Sequence, residues 1–64
     1  MTPTEAAKLL HMLDWSDQAI ANRVVSSQPV INRIRRGERN APYHLGNAIV
    51  KLAKKEQRKR EKAA

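Results

Sequence analysis

Apolar residues along this chain recur at helical spacing. Ala6, Leu9, Leu10 and Leu13, with Ala7 and Met12 at the borders, predict a first helix running to about Leu13. Ile20, Ala21 and Val24 share one face of a short second helix over roughly 17–24, and Val30, Ile31 and Ile34 share one face of a third. Leu45, Ala48, Ile49, Leu52 and Ala53 form the stripe of a fourth, whose start lies between Pro42 and Leu45 because Gly46 weakens its first turn. No stretch alternates convincingly as a strand and no repeat is present, so the pattern predicts a compact all-α fold of four helices.

The residues between these stripes are helix signals. Thr2-Pro3-Thr4-Glu5 combines a capping Thr, a Pro at the first helical position and a T-x-x-E capping box. Asp14 is an unfavourable charge at a helix C-terminus, so a turn is expected there. Ser16 caps the second helix, Asp17 suits its first turn, and Trp15 stands at staple spacing from Ile20, as a packing residue rather than a ligand-stacking one. Ala21 is small enough for another helix to cross closely. Val25-Ser26-Ser27 is a turn. The third helix begins either at Gln28 behind a Ser27 cap, or one residue later with Gln28 as cap, because Pro29 disfavours the helical conformation before it. Gly37 supplies the C-terminal cap and residues 38–42 a loop.

Length and charge narrow the classes. Sixty-four residues make one domain near the lower limit for an unaided core, and the absence of Cys excludes disulfides and thiolate metal sites. No apolar run reaches membrane-spanning length and no secretory segment opens the chain, so a protein of the cytoplasm is expected, without a membrane partner. The net charge of +7 is uneven. Residues 1–32 sum to −1, residues 33–39 to +3 and residues 51–62 to +5, a distribution that favours a polyanionic partner. Beyond Ala53 the apolar stripe stops. Residues 1–53 are therefore read as the domain, and 54–64 as a basic extension of helix-forming composition with one Glu56–Arg60 pair at i,i+4, a fraying helix that ends in disorder.

Two helices of about eight residues cannot stand alone in water. Packed across each other at a steep angle, 17–24 and 28–35 make a helix-turn-helix whose second helix is free to enter a major groove. The stretch Ser16–Gly37 resembles the helix-turn-helix of the phage Cro and CI repressor family. Ser16, Ala21, Gln28, Ile31, Ile34 and Gly37 match in register, and Gly37-Glu38-Arg39-Asn40, Pro42, Leu45 and Leu52 look like that family's loop and fourth helix. Three positions depart from the pattern. Val25 stands where a turn Gly is usual, so either the turn differs or Val25 sits at positive φ. Ser26 replaces an aliphatic. Asp17 stands where Gln is common, which removes a phosphate contact and a brace for the recognition residue, with Gln18 as the substitute.

The resemblance implies a lambda repressor-like fold and a sequence-specific regulator of transcription, a phage or prophage Cro-like repressor in a bacterial host that acts by occupying an operator in double-stranded DNA. It implies that Gln28, Pro29, Asn32 and Arg33 face base edges. Gln and Asn pair bidentately with adenine, Arg with guanine, and Pro touches a thymine methyl. Arg35, Arg36, Arg39 and Asn40 cluster where phosphates would lie, helped by Arg23 and Gln18, with Tyr43 either reaching the backbone or packing. Tyr43 and Val50, with Gly46 between them, lie off the main stripe and are candidates for a homodimer contact on adjacent half-sites. The fifth helix of CI-type domains and the C-terminal strand of some Cro proteins have no counterpart here. Rival readings use the same fold as an antitoxin-type regulator or as a protein-interaction module such as an antirepressor, and the basic tail suits RNA. His11 and His44 lack partners at ligand spacing, and no nucleophile–base–acid set or Gly-rich phosphate loop is present. No enzyme activity, metal, cofactor or small-molecule ligand is expected.

Overall fold

The computed structural model describes residues 1–63, as four helices and no strand among them: α1 Pro3–Met12, α2 Asp17–Val24, α3 Gln28–Arg35 and α4 Tyr43–Ala63. α1 and α2 begin at capping side chains, and α1, α2 and α3 end in backbone turns that satisfy free carbonyls. At the start of α1 the Glu5 amide donates to the Thr2 hydroxyl at 3.1 Å, and that hydroxyl donates to the Glu5 carboxylate at 3.1 Å, closing the predicted box through its side chains. Ser16 caps α2 by accepting from the Ala19 amide at 3.1 Å. α3 begins at Gln28 rather than one residue late; Ser27 occupies its cap position without a side-chain hydrogen bond. Pro29 is tolerated there because first-turn amides have no intrahelical partner.

α1, α2 and α3 end in the same device. Asp14, Val25 and Gly37 adopt positive φ of 71°, 57° and 79°. The next amide then reaches back five residues: Trp15 to Leu10 at 3.0 Å, Ser26 to Ala21 at 2.8 Å and Glu38 to Arg33 at 2.9 Å. These bonds satisfy carbonyls that a helix terminus leaves free. Only at Gly37 is the left-handed conformation free of Cβ strain. Val25 thus follows the positive-φ alternative.

The core draws on every helix. Leu10, Ile20, Ile31, Ile34 and Ile49 are its largest fully buried side chains, each worth about 1.5–3 kcal/mol on transfer from water. Ala7, placed at a border by the sequence, is fully buried, whereas Leu9 and Leu13 are only partly covered and Met12 is exposed. Small residues let α1 approach its neighbours. Trp15 packs partly buried against the core, as expected. α1 and α2 each approach both α3 and α4, whose backbones do not come close to each other. Thr4 of α1 fastens the end of α3 by donating to the Ile34 carbonyl at 2.8 Å.

α4 departs from expectation at its far end. The helix does not fray after Ala53 but continues through the basic stretch to Ala63. Glu56 is turned inward, with its side chain 15% exposed, and its ion-pair partner is Lys59 at 4.0 Å rather than Arg60. Arg60 instead donates to the Leu13 carbonyl at 2.7 Å. This places a cation on the C-terminus of α1, where the helix dipole is negative. The sequence boundary at residue 53 therefore divides an unbroken helix, and the residues after it are partly docked. Gly46 is buried in the α1–α4 contact, where a Cβ would meet Pro3 Cγ at 2.8 Å. It lies, buried, at the floor of an open depression that Tyr43 and Val50 border.

Val25 gives a direct test of this backbone. Its side chain is 92% exposed, so nothing is lost by removing it. Left-handed backbone costs a residue with a Cβ roughly 1–2 kcal/mol, and glycine's extra unfolded-state entropy offsets about half of that. Val25→Gly is expected to raise stability by about 1 kcal/mol, or about 4–8 °C in Tm. A lowered melting temperature contradicts the strained-turn account.

Candidate functional site

The short helices α2 and α3 are joined by a polar clamp as well as by their apolar faces. Asp17, in the first turn of α2, is 9% exposed. Its Oδ1 accepts from Arg35 Nε at 2.9 Å, and its Oδ2 accepts from Arg35 Nη2 at 3.1 Å and from Asn32 Nδ2 at 3.1 Å. A bidentate guanidinium–carboxylate pair fixes both distance and plane, so the clamp sets how α3 lies on α2. The hydrogen bond from Arg35 holds the Asp17 carboxyl below its ordinary pKa against the opposing effect of burial, with Asn32 and the charge of Arg35 adding to the lowering. The same bond raises the Arg35 pKa.

This arrangement revises two expectations. Asp17 does not remove the brace on α3; it supplies one, to Asn32 and Arg35 together. Gln18 donates instead to Asn22 at 2.9 Å along α2 and remains exposed. Arg35, expected among the phosphate contacts, gives its Nε and Nη2 to Asp17 with its side chain 24% exposed, which leaves Nη1 as its free donor. No pattern local to α2 or α3 reveals this pairing, because its partners are 18 residues apart. An acid in the first turn of one helix and an Arg near the end of the next was the available signal.

The clamp also orients Asn32. A carboxylate only accepts, so the atom facing Asp17 is the amide nitrogen. That leaves Oδ1 as an acceptor and the second Nδ2 hydrogen as a donor on a partly exposed side chain. Pro29, Arg33 and Arg36 are exposed on the face of α3 opposite the buried Ile31 and Ile34, and Gln28 is exposed at its start. Arg33 makes no ion pair among the described residues. Arg36 lies 3.4 Å from Glu38 with both side chains more than half exposed, a contact of the strength water screens readily. Arg39 and Asn40 follow in the loop, exposed, and Arg23 is exposed on α2. Tyr43 is 81% exposed, its ring 5.8 Å from that of His44 and nearly perpendicular to it.

The structure thus brings together Gln28, Pro29, Asn32, Arg33 and Arg36 on one helix, with Arg39 and Asn40 beyond its end. Tyr43 and Val50 border a separate, open depression of about 350 Å³ with Met1, Pro3 and Pro42. No group of three or more His, Cys, Asp or Glu at metal-binding separation occurs among the described residues, and no helix is long and apolar enough to cross a membrane.

Because the folded-state pKa of Asp17 is depressed below the unfolded value of about 3.9, the clamp stabilises the fold fully above that value. Its contribution is lost as pH falls through the folded-state pKa. Asp17→Asn is expected to cost about 2 kcal/mol at pH 7, the scale of hydrogen bonds to a charged group. The gap from the parent protein should narrow as pH drops below about 4 in denaturant titrations. A gap that does not change with pH contradicts the assignment of the charge to the clamp.

No protein-family model, curated protein or solved structure matches this chain.

Proposed function

We propose that the chain is a helix-turn-helix regulator that reads double-stranded DNA with α3 and represses transcription by occupying an operator. The observation that carries this reading is the clamp. α3 is held to α2 through Asp17, Arg35 and Asn32, while Pro29 and Arg33 are left exposed on the face opposite the core and Gln28 is exposed at the helix start. A recognition helix needs that division: a rigid mount on one face and free hydrogen-bonding groups on the other.

The roles follow from the side-chain chemistry. Arg33 offers two parallel donors to guanine O6 and N7, and Gln28 offers a donor and an acceptor to adenine N6 and N7. Asn32, held by Asp17, keeps the acceptor and donor that adenine requires. Arg36 and Arg39, with Asn40, Gln18 and Arg23 at the margins, supply phosphate contacts that position the domain without reading sequence. Arg35 takes no part in this set. Occupancy of the operator excludes polymerase, which is the output this reading assigns.

Arg33 and Arg39 separate reading from holding. Arg33→Ala is expected to cost about 1–3 kcal/mol at one base pair and to relax preference there. Arg39→Ala should weaken binding to every duplex alike. Both are measured by fluorescence anisotropy on a panel of single-base operator variants. An unchanged preference profile with Arg33→Ala rules out its role as a base reader.

Adjacent half-sites about one helical turn apart would be filled by two copies, which would meet at the exposed Tyr43 rather than at the buried Gly46. Tyr43→Ala should leave binding to a single half-site unchanged and abolish cooperativity on a paired site. Independent filling of paired half-sites by the parent protein excludes this contact.

A further inference from the structure

The second concentration of positive charge lies on α4, and its placement gives it a different task from α3. At 100° per residue, Lys51, Lys55, Arg58 and Lys62 fall within about 60° of one another, on the side of α4 opposite Ile49 and Ala53. Lys54 borders the stripe. All five are exposed, and none forms an ion pair among the described residues. Of the two acids on this part of the helix, Glu56 faces inward and Glu61 stands at the edge beside Lys54. The stripe spans about 16 Å.

All four helices share one core, and α1 and α2 each approach both α3 and α4, whereas α3 and α4 have no close backbone approach to each other. The face that carries Lys55 therefore lies apart from the face that carries Arg33. The docking of Arg60 on Leu13 keeps this part of α4 helical and the stripe continuous.

We propose that the outer face of α4 is a second nucleic-acid surface that binds the phosphate backbone of another duplex, so that one protein bridges two DNA segments. The chemistry of the face selects that partner. It carries no bulky apolar residue with which to enter a lipid surface. It has no aromatic side chain beyond His44 and so no platform for the stacked bases of a single strand. A regular line of unpaired cations matches duplex phosphate, which presents one charge per about 1.7 Å of axis. The contact reads no sequence. This inference rests on the α3 reading only for the first of the two duplexes.

The test is capture of a fluorescent duplex by an immobilised duplex in the presence of the full-length protein. The parent protein is expected to capture it. With four phosphates neutralised, affinity for the second duplex should fall about 100-fold between about 50 and 200 mM salt. The variant carrying Lys51→Gln, Lys55→Gln, Arg58→Gln and Lys62→Gln keeps helix-forming side chains. It should lose capture yet retain base preference on a single duplex. If that variant melts early, Lys55→Gln with Lys62→Gln replaces it, with capture reduced at least several-fold. Absence of capture by the parent protein overturns the proposal. So does capture unaltered by the substitutions, which would assign bridging to a dimer. Tighter binding of the stripe to structured RNA or to phosphatidylserine vesicles than to duplex DNA overturns the choice of partner. Capture that persists in Arg33→Ala while base preference disappears supports the second surface independently of the first. A parent protein that captures a second duplex without any base preference would defeat the α3 reading alone.

Discussion

The bidentate contact between Asp17 and Arg35 is the interaction on which the rest of the arrangement depends. α2 and α3 are eight residues each, too short to persist without tertiary support. Their apolar faces bring them together, but apolar contact is non-directional. The carboxylate–guanidinium plane fixes the angle, and Asn32 is drawn into the same carboxylate at 3.1 Å. Because the acid is 9% exposed and the Arg side chain 24%, screening by solvent is reduced relative to a surface pair. One acid therefore braces two residues of α3, and it does so by engaging the Arg35 guanidinium.

Much of the fold was legible because its signals are local. The Thr2 and Ser16 caps, the Gly37 terminus and the four apolar stripes each rest on residues within one or two turns of each other, and each appears where the spacing puts it. The turn at Val25 was legible only as an alternative, since the sequence offers Gly-like demands without a Gly. What local pattern could not show is what long side chains do at a distance. Arg35 reaches back 18 residues and Arg60 reaches 47 residues to Leu13. The sequence pattern sets Arg35 among the phosphate contacts and pairs Arg60 with Glu56. The same oversight made residues after Ala53 look like a fraying tail, because their core-side contacts are made by Glu56 and Arg60 and not by apolar groups.

The distribution of charge follows from these two pairings. Arg35 and Arg60 are drawn into structural contacts. Apart from Lys8 on α1 and Arg23 on α2, what remains falls into two exposed sets, one on α3 and the loop after it, the other along α4. Strain is placed at the connection between α2 and α3, where Val25 holds a left-handed backbone in full exposure. A helix mounted by an inner clamp and entered through a tight turn has little freedom to reorient, which lowers the ordering cost of docking against a rigid partner.

The central claim is that the outer face of α3 is the surface that meets DNA bases. Amide shift mapping by nuclear magnetic resonance tests it most directly, using a duplex selected by the protein from a random pool. The titration is run at about 200 mM salt, where contacts made only to phosphate are weakened. The account predicts that the largest changes fall on the backbone amides of Gln28 and Arg33 and on the Asn32 side-chain amide, with smaller ones at Arg36 and Arg39. Changes confined to α4, or spread evenly over the surface with α3 unmoved, would contradict it.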